Sequence, residues 1–98
     1  MSESDAILKG LLNQPGVIGA IVMKMNGLPI KSTFKDSETI HYAGLVNEFV
    51  KKAKSTLETN TLANPINVIR IRSHKNEIII TPDNDMILIV VQDASVAA

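Results

Sequence analysis

The stretch INVIRIRSHKNEIIITPDNDMILIVVQD, residues 66–93, decides how this chain folds. It contains three apolar runs separated by His74-Lys75 and by Pro82-Asp83-Asn84-Asp85, residue types that tight turns use. Three consecutive antiparallel strands are therefore expected. If His74-Lys75 is a two-residue loop, Arg72 faces Glu77, Arg70 faces Ile79 and Ile71 faces Ile78; a slip of one residue would change every pair. Ile78 to Ile80 and Met86 to Val91 are apolar on both faces, as in central strands covered by a helix on each side. Arg70 and Arg72 share one face of the first strand. Nucleic acid, a nucleotide or a protein partner would each explain two arginines there, and so would plain surface arginines with one paired to Glu77.

Upstream, Ile7, Leu8, Leu11 and Leu12 recur at helical spacing between a serine cap, Ser2 or Ser4, and a Pro15-Gly16 stop. GVIGAIVMKMNGLPIKSTF, residues 16–34, then predicts two strands around Asn26-Gly27, a dipeptide suited to a type I′ hairpin turn. That register sets Met23 opposite Ile30 and Ile21 opposite Ser32. Pro29 cannot donate a ladder hydrogen bond, so its strand belongs at an edge. From Ser37 to about Asn60 a 3.6-residue period returns, with Tyr42, Val46, Phe49, Val50, Ala53 and Leu57 on one stripe and Asp36 or Ser37 as cap. Ile40, Ala43 and Leu45 widen the stripe beyond one sheet face, which implies a second packing partner. TNTLANP, residues 59–65, ends the helix. The expected order is αββαβββ, an α+β fold in one domain over residues 1–98.

Ten Lys plus Arg balance ten Asp plus Glu, so no net field draws the chain to phosphate polymers or anionic membranes. One tyrosine and two phenylalanines offer few platforms for stacking bases. Nucleic acid is thus disfavoured as a partner. The chain has no cysteine, which removes disulfides and thiolate chemistry and fits a reducing compartment such as the cytoplasm. MSESDAILKG has the wrong order for a secretory signal, and no apolar run approaches spanning length, so no membrane insertion is expected. Lys51, Lys52 and Lys54 suit the negative end of the long helix and a solvated face better than a dedicated acidic partner.

A search for chemistry finds little. His41 and His74 lack any metal-ligand spacing, Ser32, Ser37, Ser55 and Ser73 lack a nucleophile elbow or a base, and PDND lacks the further ligands of a calcium loop. No catalytic residue, metal or cofactor is expected. The edges are more informative. Pro29 and Lys31 blunt one side of the sheet, whereas VIRIR, residues 68–72, leaves a regular strand open at the other. A second copy adding its own equivalent strand would close both edges and let the long helices pack about the same two-fold axis. Arg70 and Arg72 would then pair across the seam or keep unrelated chains away.

GVIGAIVMKMNGLPIKSTF, the helix ending KKAKST and RIRSHKNEIIITPDNDMILIVVQ, taken in this order and spacing, resemble the roadblock type of dynein light chain, the Roadblock/LC7 family, over nearly the whole length. The resemblance implies a roadblock/longin-like fold: a five-stranded antiparallel sheet with a helix on each face, forming a two-fold homodimer with a continuous sheet. The implied dimer interface is Leu45, Phe49 and Lys52 of the long helix with Val68, Ile69, Arg70, Ile71 and Arg72 of the third strand. It further implies a non-catalytic accessory light chain that holds the dynein intermediate chain, in the cytoplasm and cytoskeleton or in the axoneme of a cilium or flagellum. That partner is expected on apolar surface near the first helix, at Ile7, Leu8, Leu11 and Leu12. A paralogous light chain is a further possible dimer partner. Met86 and Ile87 stand where the family commonly has aromatic residues, Lys54 replaces a frequent arginine, and Lys24 and Asn26 alter the approach to the first turn. The alternative reading is a scaffold or regulator of small GTPases, since relatives of this fold bind GTPase switch regions on a joined sheet and helix surface.

Overall fold

The computed structural model describes residues 3–58 and 65–95, with backbone alone for residues 3–5 and 7. Two helices and five strands follow in the order α1 (Glu3–Leu12), β1 (Val17–Lys24), β2 (Pro29–Ser32), α2 (Asp36–Leu57), β3 (Ile69–Arg72), β4 (Asn76–Asp83) and β5 (Met86–Asp93). The strands form one antiparallel sheet ordered β2-β1-β5-β4-β3. The expected αββαβββ order holds, with the proline strand and the arginine strand at opposite edges.

Alternation along the strands sends side chains to two cores. On one face Ile21, Met23, Ile80, Ile87, Ile89 and Val91 meet Ala43, Val46 and Val50 of α2. On the other, Ala20, Val22 and Val90 lie under Leu8 of α1, with Leu11 at the margin. Each helix thus covers one face, and β5 is apolar on both sides because it lies in the middle of the sheet. No helix among the described residues is long and apolar enough to cross a membrane.

Several local expectations need correction. Within the β1–β2 loop Gly27 alone has a positive φ, 94°, so the loop is not type I′. The Gly27 N–H donates to the Lys24 carbonyl at 2.9 Å and the Lys24 N–H to the Leu28 carbonyl at 2.8 Å, giving a three-residue loop closed by a left-handed glycine. Asn26 keeps φ negative and instead accepts the Leu28 N–H on its side-chain oxygen at 3.1 Å. The extra loop residue is compensated by a bulge: Met23 stands opposite Pro29, whereas Ile21 keeps Ser32 as expected. At the other turn Asp83 already pairs with Met86, so the loop is Asn84-Asp85 alone, with Asn84 at φ 56°.

Helix α2 has Lys35, not Asp36 or Ser37, at its N-cap, with no side-chain cap bond. A hydroxyl pair ties down this end instead. Ser32 Oγ accepts the Phe34 N–H at 3.0 Å, lies 2.6 Å from Thr39 Oγ1, and the Thr39 hydroxyl bonds the Lys35 carbonyl at 2.9 Å. Asp36 and Glu38 occupy the first turn and Lys54 the last, each the favourable sign for the helix dipole. The helix ends at Leu57, so Asn60 and most of TNTLANP lie outside the described residues, as does Ser2. Ser4 is inside α1 and does not cap it. The buried line of α2 is Thr39, Ala43, Val46 and Val50, while Phe49 and Leu57 of the expected stripe are 46% and 43% exposed.

The Phe34 ring lies against Gly19 on the α2 face and packs on Tyr42, ring centroids 5.2 Å apart. A Cβ built on Gly19 would fall 2.5–2.9 Å from three ring carbons. Gly19→Ala must therefore displace the ring and is expected to cost about 1–3 kcal/mol. Urea unfolding checks this, and a cost below about 0.5 kcal/mol would show that the ring has room to move.

Candidate functional site

The third strand makes the candidate site because what lies on either side of it is left partly uncovered. Its register with β4 is as expected: Ile69 faces Ile80, Arg70 faces Ile79, Ile71 faces Ile78 and Arg72 faces Glu77. The Ser73 N–H donates to the Asn76 carbonyl at 2.8 Å, closing the two-residue loop at His74-Lys75. At its start the strand is held by Glu58, whose Oε2 accepts the Ile66 N–H at 2.9 Å, while Lys54 Nζ lies 3.4 Å from Glu58 Oε1. The backbone bond, with the neighbouring lysine, lowers the Glu58 pKa despite partial desolvation.

On the α2 side, Ile69 and Ile71 point toward the core but remain partly exposed. The helix packs over β1 and β2, leaving a groove between itself and β3. His41, Tyr42, Leu45, Val46, Phe49, Ile71, Ile78 and Ile80 line it, around a volume of about 250 Å³. Leu45 is 59% and Phe49 46% exposed. Groups of this size rarely stay in water beside an open strand edge without a partner.

The opposite side of β3 is polar. Glu77 is buried, and its Oε1 accepts bonds from Arg70 Nη2 at 2.8 Å and Gln92 Nε2 at 3.0 Å, while Oε2 accepts from Arg72 Nε at 3.4 Å. The Arg72–Glu77 pair anticipated from register is present, yet the diagonal Arg70 contact is shorter. Bonds from Arg70 and Gln92, and the charge of both arginines, hold the Glu77 carboxyl below its ordinary 4.5 against the opposing effect of desolvation. A lowered carboxyl contributes its stability fully above the unfolded pKa and loses it as pH falls through the folded one. Glu77→Gln should therefore be less stable than the parent at neutral pH, with a smaller further loss on acidification below 4.5. Parallel pH series of thermal melts measure this; curves of identical shape would remove Glu77 as a source of acid sensitivity.

The eight residues expected at a dimer interface thus divide between two surfaces. Leu45, Phe49, Ile69 and Ile71 converge on the α2 side, with Lys52 exposed nearby on the helix. Arg70 and Arg72 stand on the α1 side, and Val68, just before the strand, is 50% exposed. Of the residues expected to hold a partner at α1, Leu8 is buried on the sheet, Leu11 is partly buried and Leu12 is 46% exposed; the Ile7 side chain lies outside the described residues. Sequence reasoning missed the contributions of His41 to the groove and of Gln92 to Glu77. Register could have given the second: the Asn84-Asp85 loop sets Gln92 opposite Glu77. Among the described residues no group of three or more His, Cys, Asp or Glu could hold a metal ion.

Comparison with known proteins follows this architecture. A family model described as the Roadblock/LC7 domain matches residues 3–93. Among solved structures, a Roadblock/LC7 domain from Streptomyces avermitilis aligns with TM-score 0.83 at 14% identity, covering 94% of this chain and 79% of that one. MglB of Myxococcus xanthus aligns at 0.82 and 18% identity, covering 97% and 79%. The gliding protein mglB of Thermus thermophilus aligns at 0.80 and 13% identity, covering 94% and 72%. Identities this low speak for the fold alone, but the family model spans nearly all of the chain, and the chain belongs to the Roadblock/LC7 domain family.

Proposed function

We propose that this chain is a non-catalytic, dimeric scaffold that binds and regulates a small GTPase. The observation that carries the reading is the uncovered apolar groove between α2 and the open β3 edge, a surface built for protein contact. Two copies joined along β3 would bury the exposed Leu45 and Phe49 and make one sheet of both, giving two symmetric sites for a partner. The family resemblance supplies the partner class, since relatives of this fold bind GTPase switch regions on a joined sheet and helix surface. Similarity to the gliding protein mglB of Thermus thermophilus and to MglB of Myxococcus xanthus supports this reading over the dynein one. The cytoskeletal and ciliary locations belong to the dynein reading and stand or fall with it.

Affinity purification from native cells, run in parallel with GDP and with a non-hydrolysable GTP analogue, tests the reading by mass spectrometry. A small GTPase retained in one nucleotide state and released in the other is the expected result. Recovery of a dynein intermediate chain regardless of nucleotide, with no GTPase, would reverse the assignment.

A further inference from the structure

We infer that Glu38 and Lys52 of α2 decide which chain can occupy the apolar groove, forming two symmetric ion pairs that select a second copy of this chain. Within the dimer proposed above, on which this selection rests, the two copies meet in one register. Joining two β3 edges antiparallel about a two-fold axis also sets the two α2 helices antiparallel, since both lie on the same face of the shared sheet. The groove fixes the level of that axis along the helix. Its α2 residues run from His41 to Phe49 and centre on Leu45, beside Ile71 near the middle of β3. An axis at Leu45 sets each residue against the one equally far on the other side: Leu45 against itself, His41 against the partner's Phe49, and Glu38 against the partner's Lys52.

Glu38 and Lys52 lie seven residues, about 10 Å, to either side of Leu45 and on the same stripe, because seven residues complete nearly two turns. Both are exposed. Among the described residues neither has an ion-pair partner, although on the same helix Lys51 pairs with Glu48 at 3.8 Å and Lys54 with Glu58 at 3.4 Å. Helical period alone does not require opposite charges at these two places. Two unpaired charges of opposite sign, equidistant from the centre of an exposed apolar patch, make that patch complementary to itself. A partner helix with a lysine at the first place or a glutamate at the second would meet a like charge and be rejected. The apolar centre supplies affinity, while the rim pairs supply register and partner choice, since exposed pairs add little affinity themselves.

The test uses the full chain and its variants Glu38→Lys, Lys52→Glu and the two combined. Both side chains are exposed, so all variants should keep the parent's far-UV circular dichroism. Sedimentation over a range of concentrations should give a dimer for the parent. Each single variant should dissociate about tenfold more readily, because both of its pairs become like-charged. The combined variant should return to the parent's affinity, its pairs merely reversed. Mixed in equal amounts, with one of them isotopically labelled, the two single variants should form heterodimers well above the statistical half, read by native mass spectrometry. Added salt should weaken the parent dimer and strengthen those of the single variants. Parent-like affinity of the single variants, no recovery in the combined one, or statistical mixing would overturn the pairing and leave dimerisation itself intact. A parent that stays monomeric at every concentration would instead remove the dimeric reading, and the pairing with it.

Discussion

Replacing Leu45 and Phe49 together by glutamate is expected to halve the solution mass while leaving the fold in place. Both side chains are about half exposed in the single chain, so the protomer loses little by their change. In the proposed dimer they lie beside the β3 edge, where a charge would be buried without a partner. Two such changes at the centre of an interface should cost roughly 4 kcal/mol together, about a thousandfold in the dissociation constant. Sedimentation at several protein concentrations reads the mass, and far-UV circular dichroism confirms that helix and strand content persist. A variant that sediments like the parent would place the seam elsewhere and remove the groove from the proposed assembly. Arg70→Glu with Ile71→Lys attacks the same seam from the strand. Agreement between the two pairs would tie helix and strand to one interface.

How far the sequence could be read depended on the range of the interaction concerned. The registers of β3 with β4 followed from turn chemistry and side-chain alternation, which are local, and Arg72 meets Glu77 as expected. The edge positions of β2 and β3 followed from Pro29 and from the regular VIRIR run. Local chemistry misled where side chains competed with backbone: Asn26 spends its amide oxygen on the Leu28 N–H, so only Gly27 needs the left-handed region. The start of α2 was missed because Ser32 and Thr39, seven residues apart, secure it through a hydroxyl pair that no capping pattern describes. The groove was only half legible. Helical period predicts an apolar face on α2, but the lateral placement of that helix over β1 and β2 is a tertiary outcome, and it determines that Phe49 rather than Val50 stays in water. The arginines' sidedness and the Arg72–Glu77 pair were available from alternation and register, whereas the diagonal Arg70 bond to the same buried carboxylate and its bond from Gln92 of β5 were not.

The largest loss of stability is expected at Ile89. It pairs with Ile21 on β1 and Ile80 on β4, and Ile80 faces Ile69 on β3, so four isoleucines cross the sheet in one row on the α2 side. Ile21, Ile80 and Ile89 are fully buried, beneath the same α2 surface that presents Val46 and Val50. Cutting Ile89 to alanine removes contacts on both flanks and from the helix above. Collapse into the space is hindered, because the strand backbone is bonded on both sides and cannot move inward without breaking a ladder. A cost in the upper part of the usual 2–5 kcal/mol range, about 4 kcal/mol, should result, whereas Ile89→Val should cost only about 1 kcal/mol. Ile79→Ala serves as the comparison: that side chain lies on the other face and is only partly buried, so its removal should cost roughly half as much. Urea unfolding at one fixed protomer concentration measures all three, since any coupling to dimerisation makes apparent stability depend on concentration. Equal costs for Ile89→Ala and Ile79→Ala would mean that the α1 face is as tightly covered as the α2 face.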